Sequence, residues 1–125
     1  MNEEANEQAV QRSIQAFNAR RWKAYAAEMV PDVVLEYPQS GERFVGSEQC
    51  MAQLRAAPSS PRLELKRLHS SGDLVVAEME EVYDSGDSWK AVLIYEFQNG
   101  KIAREIGYWG KRFSAPRWRK PFAAP

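Results

Sequence analysis

The spacing of apolar residues changes along the chain from a period of about 3.6 to a period of two near residue 62. Val10, Ile14 and Phe17 recur at helical spacing, and the same spacing resumes at Trp22 after a polar step. We therefore predict two short helices, or one bent helix, that end before Pro31.

The segment that follows predicts a strand and a third helix. VVLEYPQSGERFVG, residues 33–46, begins as a strand that ends at Pro38 and continues into a glycine-containing turn. Ser47 then predicts a helix N-cap, with Met51 directed inward and Pro58 as the stop.

Four strands are predicted after the change of period. Short segments that contain glycine separate them, as antiparallel hairpins require. The four predicted strands are residues 62–69, 74–83, 89–97 and 101–109. The third of them is apolar on both faces, which predicts a central strand. Helices followed by an antiparallel sheet indicate an α+β fold.

Length and composition indicate one globular domain. The chain has 125 residues, of which 44% are hydrophobic and 11% aromatic, enough for a core that encloses a cavity. Its 17 Lys and Arg residues equal its 17 Asp and Glu residues, so no overall field selects nucleic acid or an anionic membrane. We predict that residues 1–113 form the domain and that residues 114–125 form an irregular tail.

Several classes of site are excluded by the residues that the sequence lacks. With one cysteine, Cys50, and one histidine, His69, neither a disulfide nor a transition-metal site is expected. The sequence has no phosphate-binding glycine loop, no dinucleotide fingerprint and no G-x-S-x-G motif, so we expect no cofactor. The acidic, polar start and the lack of an apolar run of roughly 20 residues favour the cytoplasm.

The C-terminal tail is basic and aromatic. No acidic residue follows Glu105, whereas this region carries Lys111, Arg112, Arg117, Arg119 and Lys120 together with Phe113, Trp118 and Phe122. Such a composition is typical of nucleic-acid binding segments, but the rest of the chain offers no supporting basic surface. We expect the tail to pack over the domain or a dimer mate, and we expect neither a nucleic-acid nor a membrane partner.

The order of three helices, a short strand and a curved sheet resembles the nuclear transport factor 2-like superfamily, in its SnoaL-like and ketosteroid isomerase-like branch. The segments LEYPQSGERFVGSEQ, residues 35–49, and FQNGKIAREIGYW, residues 97–109, carry the resemblance, which covers about residues 8–113. It implies a cone-shaped antiparallel sheet of about five or six strands that wraps around three N-terminal helices. Such a cone leaves an apolar cavity open at one end.

The isomerase machinery of that family does not carry over to this chain. The general-base aspartate, which precedes a proline, falls on Tyr37, the oxyanion-binding tyrosine falls near Ser13, and the protonated aspartate falls near Leu93. The pocket tryptophan is retained as Trp109. Ser13 and Leu93 cannot supply the strong donors of that oxyanion hole, so we exclude ketosteroid isomerisation by that mechanism.

Glu105 and Tyr37 are the candidates for acid/base chemistry. Glu105 shares strand parity with Trp109, so both face the cavity together, and a desolvated carboxylate there would have the raised pKa of a general base. The alternative turns the face of Ile106 inward and leaves Glu105 exposed. Tyr37 is either a phenol that hydrogen-bonds a ligand oxygen or an amphipathic side chain at the cavity edge.

The remaining polar candidates are expected outside the cavity. We expect Glu36 to face solvent or an interface, Glu78 and Glu80 to face solvent, and His69 to be exposed before a hairpin turn. The ligand-binding residues implied for the cavity are Trp109, Trp22, Tyr25, Phe17, Leu93 and Trp89.

These features predict a domain that binds a small, largely apolar, oxygen-bearing molecule. One interpretation is a cofactor-independent isomerase, cyclase or dehydratase that uses Glu105 and Tyr37. The other is a non-catalytic ligand-binding or dimerisation module of the same fold. Because the outer sheet face is rich in Val, Ile and Tyr and needs cover, we expect a homodimer through the sheet.

Overall fold

The computed structural model describes residues 2–125, in which three helices precede most of a six-stranded sheet. The helices are α1 (Glu3–Asn18), α2 (Trp22–Ala27) and α3 (Ser47–Ala56). The strands are β1 (Met29–Tyr37), β2 (Glu42–Val45), β3 (Arg62–Ser71), β4 (Leu74–Val82), β5 (Ser88–Gln98) and β6 (Lys101–Gly110). The predicted α+β class and curved sheet are confirmed, and the sheet is not closed into a barrel.

The sheet has the strand order β2-β1-β6-β5-β4-β3, so β5 has neighbours on both sides, as its two apolar faces predicted. Strands β1 and β6 run parallel, and the other neighbouring pairs are antiparallel. The sequence predicted an antiparallel sheet, and the parallel pair of β1 and β6 differs from that prediction. A long connection through α3 and four strands separates β1 from β6, which permits a parallel pair.

The three helices cover the inner face of the sheet. Helix α1 contacts β3 and β4, whereas α2 and α3 contact β1. Alternate strand residues such as Ala77, Met79, Leu93 and Tyr95 are buried beneath them. Within residues 2–125, no helix is long and apolar enough to cross a membrane.

Polar contacts join the end of α1 to the start of β3. The Asn18 side chain donates from Nδ2 to the Leu63 carbonyl at 2.9 Å and accepts from the Leu63 backbone N–H at 2.8 Å. Arg20 donates to the carbonyl oxygens of Ser60 (2.9 Å) and Pro61 (3.1 Å). These bonds hold the loop between α3 and β3 beside the helix, where it borders the cavity described below.

The tail does not pack on its own domain. Residues Arg117–Phe122 form a 3₁₀ helix rather than a wholly irregular segment. The side chains of Phe113, Trp118 and Phe122 are 77%, 71% and 86% exposed, so their expected burial now depends on a dimer mate.

Candidate active site

A cavity of about 380 Å³ lies between the helices and the inner face of the sheet. Six aromatic side chains line it, namely Phe17, Tyr25, Tyr37, Tyr83, Trp89 and Trp109. Its two charged side chains are Glu81 and Glu105, and no lysine, arginine or histidine of the described residues lines it. Ala57, Ser59 and Ser60, from the loop that Arg20 fixes, form part of its border.

The structure brings seven of the eight predicted site residues to this cavity, namely Phe17, Tyr25, Tyr37, Trp89, Leu93, Glu105 and Trp109. Trp22 is the eighth predicted residue, and it does not line the cavity. Its ring packs edge-on against Phe17 and Tyr25, with ring centroids 5.3 and 6.3 Å apart, and it borders a separate surface depression with Met51 and Arg55. Trp22 therefore supports the aromatic wall from outside the cavity.

Glu105 is the most deeply buried charged group of the site. It is 6% exposed, and its Oε1 atom has no hydrogen-bond partner. Burial raises its pKa to about 7, and the charge of Glu81 adds to this, whereas a hydrogen bond from the Tyr25 hydroxyl opposes it. The inward orientation is therefore found, and the alternative of an exposed Glu105 is wrong.

Tyr95 lies beside Glu105 on the neighbouring strand. The two residues are cross-strand partners on β5 and β6, and Tyr95 is 2% exposed. Its hydroxyl forms a hydrogen bond with Ser13, whose own hydroxyl donates to the Val10 carbonyl at 2.7 Å. Ser13 thus has its hydroxyl proton engaged within α1, consistent with the loss of the isomerase donor at this position.

Tyr37 stands at the end of β1, where Pro38 ends the strand. Its ring packs edge-on against Trp109, with centroids 4.9 Å apart, and its hydroxyl accepts a hydrogen bond from Gln53 Nε2 at 2.8 Å. Burial and the charge of Glu105 raise the pKa of Tyr37. The phenol therefore stays neutral, and because Gln53 uses its oxygen as acceptor, its proton is free to be donated.

Glu81 is a site residue that the sequence reasoning missed. Trp109 Nε1 donates to Glu81 Oε2 at 2.7 Å, and burial raises the pKa of Glu81 while this bond opposes the shift. The strand parity that places Met79 and Ala77 on the inner face also places Glu81 there. That alternation was the signal that could have identified it.

Gly107 allows the Trp109 indole to lie over β6. A Cβ atom at position 107 would come within 2.9 Å of both Leu93 Cδ2 and Trp109 Cζ2, closer than real Cβ atoms approach. The absence of a side chain here therefore sets the position of the indole, and through the indole the position of the Glu81 carboxylate.

The other charged candidates lie outside the cavity, as predicted. Glu36 pairs with Arg104 at 2.6 Å, while Glu78 and Glu80 form exposed ion pairs with Arg67 and Lys90. His69 is exposed on β3. Among residues 2–125, no group of three or more His, Cys, Asp or Glu side chains is arranged to hold a metal ion.

Comparison with known proteins identifies the fold. The sequence profile of the SnoaL-like domain matches residues 10–105. Among curated proteins, the search by sequence gave no match.

Solved structures are similar over nearly the whole chain. A nuclear transport factor 2-like protein of unknown function from Burkholderia xenovorans LB400 is 32% identical, with a TM-score of 0.87 over 98% of this chain and 95% of that one. A candidate ketosteroid isomerase from Kribbella flavida DSM 17836 is 21% identical, with a TM-score of 0.92 over 100% and 92%. A candidate polyketide cyclase from Xanthomonas campestris pv. campestris is 24% identical, with a TM-score of 0.73 over 88% and 93%.

Proposed function

Because the chain belongs to the SnoaL-like domain family of the nuclear transport factor 2-like superfamily, we propose that it is a cofactor-independent isomerase, cyclase or dehydratase. Its substrate is a small, largely apolar, oxygen-bearing molecule held in the cone. The observation that carries this proposal is Glu105, a buried carboxyl group with an unpartnered oxygen in an apolar cavity.

Glu105 moves the proton. With a pKa of about 7, it is divided between its acid and base forms near neutral pH, which is the condition for efficient proton transfer in both directions. In the ionised form it removes a proton from a carbon beside the substrate's carbonyl group, whose oxygen takes up the negative charge, and it returns that proton to a second atom. Tyr25, hydrogen-bonded to the carboxyl group, holds it in place.

Tyr37 holds the substrate oxygen. A neutral phenol is a good hydrogen-bond donor, and its proton is directed to the substrate because Gln53 already donates to its oxygen. As negative charge develops on the substrate oxygen, this bond strengthens in a cavity lined mainly by apolar and aromatic side chains. The isomerases have their general base at the position of Tyr37. In this chain the phenol binds the substrate oxygen instead, and Glu105 transfers the proton.

A non-catalytic ligand-binding module is the second candidate. It is favoured by Ser13, whose hydroxyl donates within its own helix, and by the apolar Leu93, because these positions supply donors in the isomerases. The cavity would then bind its ligand without changing it.

Exchange of hydrogen for deuterium tests the catalytic proposal. We would incubate the protein with a panel of cyclic and aromatic hydroxyketones in D₂O and follow the hydrogens beside each carbonyl by NMR. The parent protein should accelerate their exchange, and Glu105→Gln should abolish the acceleration while calorimetry still shows binding. Tyr37→Phe should weaken binding by about 0.5–1.5 kcal/mol, because it removes one hydrogen bond.

The matched control is Glu96→Gln, on β5 at a half-exposed position paired with Arg104. It should exchange at the parent rate. If Glu105→Gln retains the parent's exchange rate, the catalytic role is overturned, and persistent ligand binding would then favour the non-catalytic module.

We also propose a homodimer through the outer face of the sheet and a cytoplasmic setting. The outer face exposes Val92 and Tyr108, which are apolar or aromatic and 37% and 43% exposed. The cytoplasmic setting is supported by the single, unpaired and buried Cys50.

A further inference from the structure

The charges and rings of the cavity define the ligand more closely, and this inference rests on the proposed binding function. We propose that the ligand carries a protonated amine, and that the ammonium group binds between the Glu81 carboxylate and the aromatic side chains of Tyr83, Trp89 and Trp109.

The first support is an imbalance of charge. Glu81 and Glu105 both line the cavity, no basic side chain does, and none of the ion pairs found among residues 2–125 involves either carboxyl group. Buried charges in proteins are normally paired. An ammonium group would supply the missing partner, whereas a ligand carboxylate would be repelled by both glutamates.

The second support is the unpartnered oxygen of Glu105. Its Oε1 atom is buried and has no hydrogen-bond partner, so the ionised group lacks a donor that a ligand can bring. A protonated amine has donors and no acceptor. A ligand with an amine at Glu81 and a hydroxyl group at Glu105 would supply hydrogen-bond donors to both carboxyl groups.

The third support is the group of aromatic side chains near Glu81. Trp89 is the cross-strand partner of Glu81, Trp109 donates to its carboxylate at 2.7 Å, and Tyr83 also lines the cavity. Aromatic ring faces attract cations, and an aromatic cage with a carboxylate is a recurrent site for ammonium groups.

The basic side chains near the border are already engaged. Lys111 Nζ lies 5.0 Å from the centroid of the Trp89 ring and 3.0 Å from Asp87, so this indole already attracts one cation. Arg20 lies 5.3 Å from the centroid of the Phe17 ring and donates to backbone carbonyls of the α3–β3 loop. Neither forms an ion pair with the cavity glutamates.

Three probes that share one apolar body test the proposal. We would measure binding by calorimetry at pH 8 for 2-(2-naphthyl)ethylamine, 2-(2-naphthyl)ethanol and 2-naphthylacetate. The amine should bind at least tenfold more tightly than the alcohol, and the acetate more weakly than either. The alcohol reports the apolar cavity alone, so it separates the proposed binding function from the preference for a cation.

Two variants locate the ammonium group. Glu81→Gln keeps an oxygen for the Trp109 indole and removes the charge, so the amine should lose at least tenfold in affinity and the alcohol less than threefold. Glu80→Gln, one residue away on the solvent face, is the matched control and should leave all three affinities unchanged.

Equal binding of amine and alcohol would overturn the inference and leave the proposed binding function intact. Failure of the amine to bind would overturn it as well, whether or not the alcohol binds. An amine preference that survives in Glu81→Gln would also contradict the proposal, because the cation would then be recognised elsewhere. Equal melting temperatures of the parent and the variants would show that lost affinity does not reflect unfolding.

Discussion

At the scale of single residues, the buried Glu105 suits the proposed proton transfer but lowers the stability of the fold at high pH. A carboxyl group that is 6% exposed and has one oxygen without a partner is more readily buried in its neutral form. The fold therefore stabilises the protonated group at low pH and must bury a charge at high pH. The same opposition gives the residue a pKa that suits proton transfer.

Glu105→Gln should change the pH dependence of stability. Because the pKa of Glu105 rises from 4.5 to about 7 on folding, the folded state holds its proton more tightly than the unfolded chain. Its contribution is fully present below pH 4.5 and is lost as the pH rises through 7. Relative to the parent, the variant should therefore gain roughly 3 kcal/mol between pH 4 and pH 8.5, as measured by urea denaturation.

Glu96→Gln is the control for this comparison, since Glu96 is half-exposed and its ion pair contributes little. Its difference from the parent should vary much less over the same range. A gain for Glu105→Gln that is the same at both pH values would show that the pKa of Glu105 is not raised in the folded protein.

The residues of the site were partly predictable from strand alternation. Parity placed Glu105 and Trp109 together, and the proline after Tyr37 marked the strand end. Glu81 had the same inward parity as Met79, yet it lies next to Glu80 in a run of acidic residues that is typical of a solvent face. The Trp109 indole bond that holds it spans β4 to β6, a contact that no local pattern shows.

At the scale of secondary structure, the elements with a clear period were predictable and the irregular ones were not. The four hairpin strands follow from alternation and their turns. The parallel pairing of β1 with β6 joins distant segments, so local sequence does not encode it. Helix α3 begins one residue earlier than the predicted cap implies, because Gly46, with φ of 88°, occupies the N-cap and Ser47 is already helical.

Gly107→Ala tests how strand β6 sets the site. A Cβ atom there collides with the Trp109 indole, which must move and release Glu81. We expect a loss of about 1–3 kcal/mol in the free energy of unfolding and a shift of the tryptophan emission maximum. Urea denaturation and fluorescence measure these effects.

Gly110→Ala is the matched control, because a Cβ atom at that position of β6 would meet nothing within 4 Å. It should leave stability and emission unchanged. If Gly107→Ala behaves in the same way, the indole is not held against the glycine, and the inferred origin of the Glu81 position is wrong.

At the scale of the whole molecule, the outer sheet face and the tail are the two surfaces that the protomer leaves uncovered. Val92 and Tyr108 are partly exposed on the sheet, and Phe113, Trp118 and Phe122 are largely exposed in or next to the tail. Ion pairs such as Arg104–Glu36 lie on the same outer face and would form the polar rim of an interface centred on Val92.

We therefore expect a dimer at micromolar concentration, measured by light scattering. Val92→Glu places a charge at the centre of the outer face and should yield a monomer, because an unpaired charge in an apolar interface is strongly unfavourable. Gln11→Glu, at an exposed position of α1, is the matched control and should remain dimeric. A parent protein that is monomeric at this concentration contradicts the interface.

The tail gives the same prediction a second measurement. Because Trp118 and Phe122 are exposed in the protomer, deletion of residues 114–125 can lower the melting temperature only where a partner covers them. The deletion should therefore destabilise the dimeric parent and have no effect in the monomeric Val92→Glu background. An equal loss of melting temperature in both backgrounds would place the tail on its own domain. No loss in either background would exclude the tail from the interface, and light scattering alone would then test the sheet contact.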